Sequence, residues 1–188
     1  MNPVMLRSLN TPILIAIVLV GIGMQTSFFS FYPLNYLQPD LILFLVIWMS
    51  FKRTWLEGGI LTLFFAEIAE IHSTGTRGLY FATYMGVFMT LKVMNKLLLF
   101  QNFQSLIGVT LFSSIFWKLS SLALLYFLGY GAQQWKHTLS LLLPGALMQG
   151  VLGIWVYRGL SKIDWFTMKD PRARDAMRDD SIVSEEDF

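Results

Sequence analysis

Cysteine is absent from the 188 residues, which excludes disulfides, thiolate metal sites and a cysteine nucleophile. Charge is scarce: 14% of the chain, against roughly 25% in a typical soluble domain. Histidine occurs twice, at His72 and His137, far apart in sequence, and two such residues make a poor metal site. No G-x-S-x-G, P-loop or H-E-x-x-H pattern is present. These absences leave no catalytic constellation, no metal site and no cofactor to assign, and nothing points to nucleic acid.

What the chain has is long apolar runs, with 55% hydrophobic and 15% aromatic residues. From Ser8 to Pro39 no side chain is charged, and Leu97–Trp117 and Leu139–Tyr157 are also charge-free. A bilayer core of roughly 30 Å needs about 20 apolar residues as helix. The sequence therefore reads as an all-α integral membrane protein. Six transmembrane helices are expected, over 12–31, 37–52, 55–72, 78–97, 103–129 and 139–160. The first run follows Arg7 but is too long for a signal h-region and lacks a small-x-small cleavage pattern, so it is expected to stay as a helix.

Six spans put both termini on one side, and lysine and arginine choose which. Eleven basic residues fall on the side of Arg7, Lys52, Arg53, Lys92, Lys96 and Arg158, whereas only Arg77 and Lys136 fall on the other. Both termini are thus expected in the cytoplasm. Tyr32, Tyr36, Tyr80, Tyr130 and Trp135 would mark the outer interface, with Trp48, Trp55, Trp155 and Trp165 at the inner one.

The net charge of +2 hides two opposed parts. Eight basic and four acidic side chains precede Arg158, and six and eight follow from it. The division expected is a transmembrane domain over 1–163 and a disordered acidic cytoplasmic tail over 164–188. The tail reads either as a solvating segment or as a docking segment.

Charges inside spans are costly and face the protein interior or a cavity. Glu67, Glu70 and Thr74 share a face of the third span, and Lys118 shares one of the fifth with Ser114 and Ser121. One reading is an ion pair of Lys118 with Glu70 or Glu67; the other leaves Glu70 solvated and Lys118 snorkelling. A proton relay is the least favoured, because Leu63 and Ala66 interrupt the polar face and only Gln149 and the serines would extend it. Gly75 and Gly78 frame a turn, and Gly145, Gly150 and Gly153 permit close helix packing.

The ordered series Gln38-Pro39-Asp40-Leu41, an apolar run with Trp48, and Lys52-Arg53 resembles the second helix of the rod shape-determining MreD family. Gly58-Gly59, then Glu70 through Gly75 to Gly78, and the basic segment Lys92–Lys96 continue the likeness, which covers about residues 35–130. Glu70 stands where the family generally has Asp, and Glu67 is an additional charge.

The resemblance implies a six-helix fold similar to the substrate-binding subunits of energy-coupling-factor transporters. It implies a non-enzymatic scaffold of peptidoglycan elongation in the bacterial inner membrane, which maintains cell shape. Its partners would be the single-span protein MreC and, directly or indirectly, the actin-like MreB, RodA and the elongation transpeptidase. The competing reading is a vitamin-type substrate-binding subunit of a transporter, which needs an outer pocket lined by groups such as Glu67, Glu70, Lys118, Tyr80 and Tyr84. A lipid-modifying enzyme comes third, for lack of a nucleophile or metal constellation.

Overall fold

The computed structural model describes residues 3–29, 31, 38–73, 75–97, 103–130, 135–167 and 169–170. Among these residues every regular element is an α-helix: α1 Pro3–Ser8, α2 Asn10–Phe28, α3 Leu41–Lys52, α4 Trp55–Ile71, α5 Leu79–Leu97, α6 Phe103–Phe127 and α7 Trp135–Phe166. Only Leu9 separates α1 from α2. Hydrogen bonds from Leu9 N to Met5 O and from Ile13 N to Leu9 O carry the helical ladder across it. The described chain therefore forms six rods, close to the six expected segments. The last rod is longer than expected at both ends and contains Pro144. Two helical stretches, Met5–Ser27 and Ser105–Phe127, are long and apolar enough to cross a membrane.

The short helix α3 is the central post. It is apolar around its whole circumference, and such a helix is stable only when covered on all sides. It is: every residue from Ile42 to Ser50 is buried, and α3 touches α2, α4, α5, α6 and α7. Its ends are set by local chemistry. Asp40 Oδ1 accepts the Leu43 N–H at 2.9 Å, a side-chain cap on an otherwise unpaired donor. At the other end, the Lys92 ammonium donates to Ser50 O at 2.9 Å and also to Arg53 O, satisfying terminal carbonyls at the negative end of the helix dipole. Thr54 then caps α4 by accepting the Glu57 N–H.

Trp48, expected at an interface, is fully buried in the same core that holds Phe65 and Phe88, with the Arg53 guanidinium 4.6 Å from its ring centroid. Trp55, Trp155 and Trp165 are exposed. The α6–α7 pair packs closely because glycine stands at the contacts. A Cβ on Gly153 would lie 2.9 Å from Thr110 Cγ2, and one on Gly145 would meet Lys118 Nζ.

The boundary expected at residue 163 is corrected. Asp164 belongs to the body: α7 runs on to Phe166, and Asp164 is 3% exposed in an ion pair with Arg53. Residues 171–188 of the expected tail, with Tyr32, Tyr36 and Thr74, lie outside the described residues.

Candidate functional site

Where α3 begins, a cavity of about 870 Å³ opens among the helices. Its wall takes Gln25 from α2, Asp40 and Ile42 at the start of α3, His72 after α4, Tyr80 and Tyr84 from α5, Trp117 and Lys118 from α6, and Gln149 from α7. With Ala69 from α4, all six helices from α2 to α7 and the loops beside them converge on one space that mixes polar and apolar side chains.

Asp40 is its organising group. The Tyr84 hydroxyl donates to Asp40 Oδ2 at 2.6 Å, while Oδ1 holds the α3 cap. Gln149 grips the same residue through its backbone: Asp40 N donates to Gln149 Oε1 at 2.9 Å, and Gln149 Nε2 donates to Asp40 O at 2.7 Å. An amide on α7 is in effect an extra peptide unit for the α3 terminus. Both Gln149 and Tyr84 are buried, so leaving these groups unpaired would be costly.

Beside this knot runs a ladder of aromatic rings. Tyr84 and Trp117 stack at 5.7 Å between centroids with 23° between planes, and Tyr80 lies 6.0 Å from Tyr84 and 6.3 Å from Trp117. The Tyr80 hydroxyl hydrogen-bonds Ser73. Lys118 lies half-buried on the same wall, over the backbone of Gly145, and its charge acts electrostatically on Asp40.

Glu70 is half-buried, and its Oε1 accepts the Gly78 N–H, placing a carboxylate at the N-terminus of α5. Its other oxygen, Oε2, is buried without a hydrogen-bond partner among the described residues. Gly78 adopts φ +86°, a left-handed conformation that suits glycine at this turn. Gly75 is exposed and Glu67 is exposed. Pro39 is buried next to Asp40. The acid that faces the cavity together with Lys118 is Asp40, whose place in the sequence reading was only that of a helix-start and family-like residue.

A second buried polar cluster lies at the opposite end of α3. Arg53 donates from Nη1 to Asp164 Oδ2 at 2.8 Å and from Nη2 to Asp164 Oδ1 at 2.6 Å. Asn10 completes it: its Nδ2 donates to Asp164 Oδ1 and Thr167 Oγ1 at 2.9 and 2.7 Å, and its Oδ1 accepts from Arg53 at 2.8 Å. Glu57, with Arg53 on one side and Lys169 at 2.7 Å on the other, extends it to the surface. This cluster ties the start of α2, the α3–α4 junction and the end of α7 together.

The pairings of Asn10, Arg53 and Asp164 were not foreseen from the sequence. The available signal was polarity out of place, as with Gln149 in the charge-free run 139–157. Among the described residues no group of three or more His, Asp or Glu side chains is placed to hold a metal ion. The donors and acceptors at the cavity are suited to binding and orienting a molecule. No protein-family model, curated protein or solved structure matches this chain.

Proposed function

We propose that the chain is a non-enzymatic membrane scaffold of the MreD type, spanning the bacterial inner membrane six times with both termini in the cytoplasm. It would bind a single-span MreC-like protein and act through it on the wall-elongation synthases. The observation that carries the reading is where the family-like residues sit. Pro39-Asp40 and Lys52-Arg53 bracket the central helix α3, and each end of that bracket is held by a polar cluster reaching distant helices. Glu70 and Gly78 bond to each other across the α4–α5 turn. The residues behind the likeness are therefore the ones on which this architecture depends.

Two further features support it. The side chains with most exposed apolar area, such as Leu56, Val151, Trp155 and Phe127, lie on the outside of the bundle, as lipid contact or association inside the bilayer requires. The basic residues Lys52, Arg53, Lys92 and Arg158 fall toward one end of the rods, in keeping with a cytoplasmic face.

The competing reading, a substrate-binding subunit of a transporter, is favoured by the cavity. Affinity purification of the tagged chain from its host membranes separates the two. Recovery of an MreC-like protein and wall synthases, with cell rounding on depletion, supports the scaffold. Recovery of an ATPase with a coupling subunit overturns it.

A further inference from the structure

Helix α4 stands at the edge of the bundle, packed chiefly on α3 and α5, and its outward side is open. That side carries a pattern. Leu56, Ile60, Leu63, Glu67 and Glu70 follow one another at intervals of four, three, four and three residues, the repeat by which one helix lays a seam along another. Leu56, Ile60 and Glu67 are exposed, Leu63 and Glu70 are half-buried, and the exposed Phe64 and Ile71 flank the line. Phe65 and Ala66 turn the other way, into the core. The described residues thus leave the seam uncovered.

A charge within the seam says what would cover it. The 17 residues of α4 rise about 26 Å at roughly 1.5 Å each, less than the roughly 30 Å of a bilayer core. Glu67, one turn before the helix ends, therefore stands among acyl chains in a six-span body. Its short stem cannot lift the carboxylate to the headgroups as a lysine lifts its ammonium. The surroundings deepen the negative potential: Glu67 lies near the carbonyl end of the helix dipole, Glu70 is a second carboxylate there, and no basic residue stands in the last turn of α4. Among the described residues the ion pairs take Glu57, Asp164 and Asp170 and leave Glu67 out.

We propose that the outward seam of α4 docks a transmembrane helix of a partner protein, which sets a lysine or arginine against Glu67. This rests on the six-span reading and gives its partner a surface. Lipid fits the seam less well, because acyl chains leave the carboxylate unpaired. A second copy meeting this seam with its own would set carboxylate against carboxylate. The apolar positions supply close packing of two helices crossing at about 20°. The ion pair fixes their register, as a single polar group in such a seam does.

The test uses the full chain in its host membranes with the photo-cross-linker p-benzoylphenylalanine at Ile60, two turns from Glu67. The cross-linked peptide is sequenced by mass spectrometry. A stretch of about 20 apolar residues with a lysine or arginine near its outer end is expected. Glu67→Gln is expected to cut the adduct about tenfold. Its melting temperature should stay at the wild-type value, since Glu67 points out of the bundle. Glu67→Lys should abolish the adduct, and changing the partner's basic residue to glutamate should restore it. The proposal is overturned by no adduct, by an adduct only with lipid or a second copy, by a partner helix without a basic residue, or by a wild-type yield with Glu67→Gln. Each of these leaves the scaffold reading standing where purification still recovers wall synthases. A basic helix from a transporter coupling subunit does the reverse: it supports the seam and removes the scaffold.

Discussion

Arg53 and Asp164, 111 residues apart in sequence, form a bidentate ion pair at 2.6 and 2.8 Å with both side chains almost wholly buried. The pair joins the end of α3 to the last turn of α7, and Asn10 closes it from the start of α2. Its energetic character follows from burial. Two desolvated charges gain little net stability over apolar replacements, yet removing one strands the other.

Arg53→Met or Asp164→Leu alone is therefore expected to destabilise the protein by about 3–5 kcal/mol. The double replacement is expected to cost clearly less than the sum of the two. Thermal unfolding of the detergent-solubilised chain, followed by tryptophan fluorescence, measures the coupling. Additive losses would show that the two side chains act independently.

Truncation gives an independent reading of the same contact. A chain ending at Asp170 keeps Asp164, Thr167 and Lys169, and its melting temperature is expected to match the full chain's. A chain ending at Ile163 loses both Asn10 acceptors and the Arg53 counter-charge. It is expected to lose about as much as Asp164→Leu, roughly 3–5 kcal/mol. Equal stability of the two truncations would contradict the buried role of Asp164.

These helices were legible because apolar length is written locally. The segments expected over 55–72 and 78–97 appear as Trp55–Ile71 and Leu79–Leu97. The polar pairings were not legible, because each depends on which distant helices become neighbours. Asp164 sits in a charge-dense segment and reads as solvated until α7 is seen to bring it against Arg53. Asp40 shows the same limit: its capping role is local and readable, whereas its bonds to Tyr84 and Gln149 span 44 and 109 residues. Trp48 was misplaced because its spacing from Lys52 fits an interface as well as a core.

Gln149 is expected to matter for stability through the backbone of Asp40. Gln149→Leu preserves bulk but leaves the Asp40 N–H and C=O without that partner. Asp40 O still accepts the Phe44 N–H, so the stranded group is the Asp40 N–H, and a loss of about 1–3 kcal/mol is expected. Gln149→Glu keeps one acceptor and brings a second anion beside Asp40, so it should not rescue. Melting temperatures of the two variants, compared with wild type, decide the matter.

Close contact between α6 and α7 is expected to fail when glycine is replaced. A branched side chain at Gly153 must displace Thr110, whose Cγ2 would stand only 2.9 Å from the added Cβ. Gly153→Val is expected to cost about 1–3 kcal/mol through overpacking. Thr110→Ala removes the obstructing methyl and hydroxyl, so the double variant should recover part of the loss. Failure of Thr110→Ala to help would place the strain elsewhere.

The absence of cysteine makes the proposed orientation directly measurable, since every introduced thiol is the sole thiol in the chain. Arg77 lies exposed in the α4–α5 turn, and Lys162 is exposed near the end of α7. With both termini cytoplasmic, Arg77→Cys should react with a membrane-impermeant maleimide applied to spheroplasts. Lys162→Cys should react only after the membrane is opened. The orientation follows from the bias of basic residues toward the Lys52 and Arg158 end, and removing Arg77 itself only strengthens that bias. Labelling of Lys162→Cys in sealed spheroplasts would invert the orientation and place the cavity at the cytoplasmic face. Labelling of both would rule out the six-span arrangement, because two sites separated by an odd number of spans cannot share a side.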